Sequence, residues 1–206
     1  MIEITDEYIK DGKLDKEALA EFGDDVVEIE GVEIIFKIDV GFSYCNALAS
    51  LEGATFNGVV AFYNCNALAS LEGATFNDYV KFRACDSLAS VAGIIFYRYV
   101  EFYGCDSLAS VAGATFNGGV DFSHCPSLKT VTGATFNGYV EFNWCRSLIS
   151  VSGAVFNDKV NFNGCDYLSS VNEATFNGDV EFYKCNSLAS LDLGLFKGNV
   201  RVTNRI

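Results

Sequence analysis

A mostly β chain wound as a parallel solenoid, with a small helical cap at its N-terminus, is the fold class this sequence predicts. Three observations carry it. Cysteine recurs every twenty residues, at Cys45, Cys65, Cys85, Cys105, Cys125, Cys145, Cys165 and Cys185, and a fixed short period marks stacked copies of one structural unit. Valine occupies position 40 and every twentieth position to Val200, followed two residues later by Phe42 and its copies to Phe182, with Val202 ending the row. Val-x-Phe is a short strand with both large side chains on one side. Asn-Gly pairs at 57–58, 117–118, 137–138 and 177–178 supply turns that tolerate positive φ between strands.

The elements follow in order. Thr5–Asp11 reads as a short helix with Thr5 or Asp6 as N-cap and Gly12 as its stop. Asp15–Phe22 reads as a second, ended by Gly23, with Leu14, Ala18, Leu19 and Phe22 on one face at helical spacing. Val27, Ile29, Val32, Ile34 and Phe36 then alternate with polar residues as in half-buried strands, and Phe36 falls twenty residues before Phe56. Residues 1–39 are therefore a helical cap and a degenerate first coil, covering a coil face that has no neighbour. Residues 40–199 are eight repeats, and residues 200–206 a closing strand in which Arg205 takes the cysteine position and Arg201 puts a charge on the sheet edge.

Within the repeats, Leu48 starts a leucine row, Leu51 a Leu/Val row, Ala54 a small-residue row broken by Ile94, and Phe56 a second phenylalanine row to Phe196. Stacking the coils lays each residue of a row on its equivalent, about 4.8 Å away. Burying one phenylalanine side chain contributes about 1.5–3 kcal/mol, so the two aromatic rows dominate stability. Asx residues at 46, 66, 86, 106, 166 and 186 suit a second turn. The serine row from Ser50, with Thr130 its one substitution, offers hydroxyls to backbone groups at a corner.

Val-x-Phe-x-x-Cys-x-x-Leu-x-Ser-Leu resembles the leucine-rich repeat pattern in a cysteine-containing form. The tract Cys45–Ala54 is similar to short repeats of bacterial and phage-encoded members. The likeness covers about residues 40–200. It implies a parallel sheet on one face, a protein-binding concave surface there, and a cysteine standing where the family often has an asparagine that bonds the turning backbone. It departs from the family where an inward leucine is usual and this chain has Asn57, Asn77, Tyr97, Asn117, Asn137, Asn157 and Asn177. That asparagine corner keeps a three-sided β-helix open as the alternative geometry.

Composition narrows function by exclusion. The net charge of −13 is uneven, since residues 1–39 hold 13 acidic and 4 basic residues. No basic stripe for nucleic acid is visible. No apolar run is long enough to cross a membrane, and the acidic N-terminus lacks a signal core, so we expect a cytoplasmic protein, with secretion as an effector left open. The cysteines lack the clustered spacing of zinc sites, and parallel Cβ vectors in a stacked row suit disulfides poorly; we expect buried structural thiols. His124 is the only histidine and reads as a surface residue, not part of a triad. Glu101, Asp121, Glu141 and Glu181 occupy the outward place between Val and Phe, where a solvated acidic face outweighs a glycosidase carboxylate pair. The broken threonine row Thr55, Thr75, Thr115, Thr135, Thr175 reads as a β-ladder feature rather than an ice-binding face. No cofactor and no catalysis are expected.

What remains are the rows that vary. Tyr79, Tyr99 and Tyr139 stand before the strand; Tyr63, Arg83, Tyr103, Asn143 and Tyr183, then Tyr44, His124, Trp144 and Lys184, stand after it. Tyrosine and tryptophan cover large area at low entropy cost. The expected binding residues are Tyr79, Tyr99, Glu101, Tyr103, Asp121, Tyr139, Glu141 and Trp144, and the expected function is a non-enzymatic protein-interaction module engaging an unidentified protein through the strand face. The alternatives are a structural or surface-array protein and an acidic nucleic-acid mimic. The sequence leaves the oligomeric state open.

Overall fold

The computed structural model describes residues 2–11, 13–29, 33–189, 191–192 and 195–203. Gly12, Val32 and Arg205, invoked above, lie outside the described residues, as do the side chains of Val27 and Ile29.

The chain is a mostly β parallel solenoid of about eight turns, and each turn has three sides. The nine strands from Val40–Ser43 to Val200–Thr203, with Ile2–Ile4 beside the first of them, pair in register as one ten-stranded sheet. The seven Thr-Phe segments and their equivalents, followed by Glu33–Phe36 and Val26–Ile29 at one end, form a second, nine-stranded sheet. The third side is a line of single bridges such as Ser50 to Ser70 and Ser110 to Thr130. It stays a line because each serine or threonine hydroxyl turns back to accept the amide two residues on, as Ser50 Oγ does from Glu52 N at 3.1 Å and Thr130 Oγ1 from Thr132 N at 3.2 Å.

The three sides enclose one core. Phe42 and its copies stack ring on ring, at 4.6 Å for Phe42–Phe62 and 5.3 Å for Phe142–Phe162. Phe36 joins the second row, 5.0 Å from Phe56, and the two rows meet edge to face, Phe56–Phe62 lying 6.0 Å apart. Stacked and edge-on geometries are the two that the ring quadrupole favours. The leucine row from Leu48 to Leu168 is wholly buried.

Each cysteine is free and buried, and each thiol donates to a main-chain carbonyl of the coil before it: Cys125 Sγ to Phe102 O at 2.7 Å, Cys145 Sγ to Phe122 O at 3.0 Å, Cys185 Sγ to Phe162 O at 2.8 Å. That carbonyl lies close to the point where the chain leaves the sheet. The asparagine row makes a second ladder, in which Asn137 Nδ2 donates to Asn117 Oδ1 at 2.9 Å and Asn157 Nδ2 to Asn137 Oδ1 at 2.7 Å.

Two expectations are corrected. The Asn-Gly glycines do not supply positive φ. A Cβ on Gly138 would lie 2.6 Å from the backbone of Gly118 and Gly119, so glycine there serves close approach of successive coils. Within the repeats the left-handed residues sit elsewhere: one set at Gly53 and its copies, where Glu173 substitutes, the other at the strand exit, where Tyr44, Asn64, Ala84, His124, Trp144 and Lys184 adopt φ of 50–62° and Gly104 and Gly164 complete the row. Each non-glycine residue in that region costs about 1–2 kcal/mol.

The N-terminal helices are also shorter than expected. Asp6–Tyr8 is one 3₁₀ turn, and Thr5 makes no side-chain cap. Lys16–Leu19 is one α-turn whose N-cap Asp15 accepts from the amides of Glu17 and Ala18, and it tightens into a 3₁₀ segment over Ala20–Asp25. Elements of three, four and six residues are too short to stand as helices alone; Leu19, which is buried, and Leu14 and Phe22, which pack on the core, hold the second segment. Unforeseen was the strand Ile2–Ile4, which pairs with Val40–Phe42 and extends the first sheet by one coil. Ile4 O accepts from Cys45 Sγ at 3.1 Å, taking the part that phenylalanine carbonyls play later. Val26–Ile29 folds back antiparallel on Glu33–Phe36 and covers the open edge of the second sheet.

Candidate interaction face

The outer face of the Val-x-Phe sheet is built by the alternation of the strands. Val and Phe point inward, so the residue between them and the one after Phe point out. Parallel register then sets Glu101 beside Asp121, Asp121 beside Glu141, and Glu141 beside Asn161.

Three like charges in a row are stable only if neighbours neutralise or solvate them, and the face supplies those neighbours. Glu101 is buried, 8% exposed, and takes a two-pronged contact from Arg83, Nε to Oε1 at 2.7 Å and Nη2 to Oε2 at 3.1 Å. Asp121 accepts the amide of Ser123 at 2.7 Å. Glu141 accepts from Tyr139 Oη at 2.6 Å and from Asn143 Nδ2 at 2.9 Å. Lys159 lies 3.1 Å from Glu181. The carboxylates are thus partnered within the face.

The aromatic residues divide into groups. Tyr79 and Tyr99 meet edge to face at 6.4 Å and are 51% and 37% exposed. Burial, followed by the carboxylates of Asp121, Glu101 and Glu141, pushes the Tyr99 phenol up to about 12. Burial and the bond to Glu141 raise the Tyr139 phenol as well. Tyr103 packs against His124 at 5.2 Å. Trp144 lies apart, at the corner where the chain leaves the sheet, in left-handed backbone.

The expected residues therefore come together as two clusters, Tyr79–Tyr99–Glu101 with Arg83 and Asp121–Tyr139–Glu141 with Asn143, while Tyr103 and Trp144 belong to the neighbouring corner. Arg83 and Asn143 are the members that reading from sequence placed in the varying rows but not in the site. A signal existed: each stands two positions from the carboxylate row and carries the donors that row lacks. Among the described residues no group of three or more His, Cys, Asp or Glu is placed to hold a metal ion, and no helix is long and apolar enough to cross a membrane. Compared with known proteins, the chain matches no family model, no curated protein and no solved structure.

Proposed function

We propose that the protein is a non-enzymatic interaction module, related in its repeat to the leucine-rich repeat proteins, that binds a protein partner through the outer face of the Val-x-Phe sheet. The observation that carries this reading is the exposure of Tyr79, Tyr99 and Tyr103 on a face whose carboxylates are already partnered. A face with satisfied charges and bare tyrosine rings is inexpensive to desolvate, and buried tyrosine is a recurrent anchor of binding energy. The repeat kinship draws support from the thiol row, which bonds the preceding coil's carbonyl in the manner expected of the family's asparagine.

The test is a paired crosslinking and affinity isolation from the native host with wild-type protein and the triple variant Tyr79→Ser, Tyr99→Ser, Tyr103→Ser. A partner held by the wild type should bind the purified variant at least 10-fold more weakly, or about 1.4 kcal/mol. Equal affinity for both proteins removes this face from the reading.

A further inference from the structure

We infer that the protein joins a second copy of itself head to tail, the free edge of Val200–Thr203 at one end of the solenoid pairing in parallel with the free edge of Ile2–Ile4 at the other, with Arg201 set against Glu3. A solenoid has two ends, and a coil at an end lacks the neighbour that buries its rows. The C-terminal end is open among the described residues. Leu168, Val171, Phe176 and Phe182 are buried, whereas their equivalents one coil on, Leu188, Leu191, Phe196 and Val202, are not. Val202 is 50% exposed where Phe182 is 1%.

The two ends present edges of the same two sheets. At the C-terminal end these are Val200–Thr203 in the first sheet and Phe196, bridged to Phe176, in the second. At the N-terminal end they are Ile2–Ile4, one coil beyond Val40–Ser43, and Val26–Ile29, one coil beyond Glu33–Phe36. The backbone groups match as well. Within the stack the strand's valine amide reaches forward to the next coil, Val160 N to Asp179 O at 2.9 Å and Val180 N to Asn199 O at 2.8 Å, so the amides of Val200 and Val202 face out. Ile2 N bonds Asp39 O at 2.9 Å, which turns the amide and carbonyl of Glu3 the other way, also out. Continuing the twenty-residue register across a joint sets Val200 beside Ile2, Arg201 beside Glu3 and Val202 beside Ile4, as Val180, Glu181 and Phe182 stand beside Val200, Arg201 and Val202.

Charge selects which ends meet. Residues 1–39 hold 13 acidic and 4 basic residues, whereas residues 193–206 hold three basic residues, Lys197, Arg201 and Arg205, and no acidic one. Glu3 and Arg201 are both exposed, and the Glu3 carboxylate lies across Gly41, where a Cβ would come within 2.6 Å of it. Two C-terminal ends related by a two-fold axis would pair Val200 with Val202 through their outward amides and carbonyls and so set Arg201 opposite Arg201, which like charge opposes. An edge charge thus excludes its own kind and admits the acidic end. A head-to-tail contact uses different patches on the two copies and leaves each copy a free end, so copies add in line. The joint lies apart from Tyr79, Tyr99 and Tyr103, and its variants leave the sheet-face reading to be tested separately.

The full-length chain is sedimented at loadings from about 1 to about 100 μM, the range of weak specific contacts, in about 0.05 M and about 1 M salt. The expected result is a mass above one chain that grows with concentration past two copies and falls at high salt. Arg201→Glu and Glu3→Arg, each alone, should raise the concentration at half-assembly at least 10-fold; circular dichroism verifies that both variants stay folded. Mixing the two variants sets opposite charges at each joint between unlike chains, and combining both changes in one chain does so at every joint, so each should restore assembly. A one-chain mass at every loading, assembly that stops at two copies, indifference to both reversals, or no recovery in the mixture or the combined variant each overturns the inference.

Discussion

A cysteine in this chain does the work of a small hydrophobe and of a hydrogen-bond donor at once. Leucine in its place would overfill the corner, and alanine would remove the side-chain bond that ties each coil to the carbonyl of the coil before it. Burial holds the thiols of Cys125, Cys145 and Cys165 well above the ordinary range, and that of Cys185 up to about 11. A folded-state value above the unfolded one favours the native state while the thiol is neutral. That contribution is complete below the unfolded value, about 8.5, and is lost as pH rises from there through the folded values. Two outcomes are expected. At pH 8 a thiol-specific disulfide reagent should label none of the eight cysteines in the native protein and all eight in guanidinium. The urea midpoint should hold level to about pH 8.5 and fall between there and about pH 11. Rapid native labelling would show that the thiol row is open to solvent.

At the scale of the element, the asparagine ladder is the corner's reinforcement, and Tyr97 breaks it. Asn77 donates to Asn57 at 2.7 Å, but the chain then passes through Tyr97, 48% exposed, before the ladder resumes between Asn117 and Asn137. Tyr97→Asn restores two amide links. Each contributes about 0.5–1.5 kcal/mol, so the variant should be more stable by about 1–2 kcal/mol after loss of some tyrosine packing, measured as a higher urea midpoint with unchanged slope. An unchanged or lower midpoint would mean that the ladder is geometric rather than stabilising. Tyr97 stands beside Ile95, also exposed, so one coil gives up its corner bonds in exchange for apolar surface.

For the whole molecule, stability is a sum of coils and the interfaces between them. Residues 45–57 and 65–77 are identical, so deletion of 46–65 joins Cys45 to Asn66 without altering any row. The shortened chain should fold with the same circular dichroism shape and lose about 1–3 kcal/mol, the share of twenty residues. Deletion of 46–55 puts the cap and first strand half a coil out of phase with the rows that follow, while the later coils keep their own register, so it should cost more stability than the whole-coil deletion although it removes half as many residues. If both deletions cost the same, row-on-row stacking is not what specifies the structure.

The solenoid was legible in the sequence because each row packs on copies of itself. A contact between equivalents appears in the chain as a repeat, so period, core rows and the parallel register needed no tertiary information. The cap was less legible, since Ile2–Ile4 is read as a strand only once Val40–Phe42 offers an edge to pair with, and the short helical turns are set by packing rather than propensity. The candidate face was half legible: the varying rows were visible, but which carboxylates are bare depends on where Arg83 and Asn143 reach. The strand-exit corner shows the division most plainly. Sequence alone determined that His124, Pro126 and Trp144 are singular. Only the tertiary structure decided that they share an open hollow on the surface, because backbone handedness and the room left by Gly164 set where a side chain lies, and neither is written in the period.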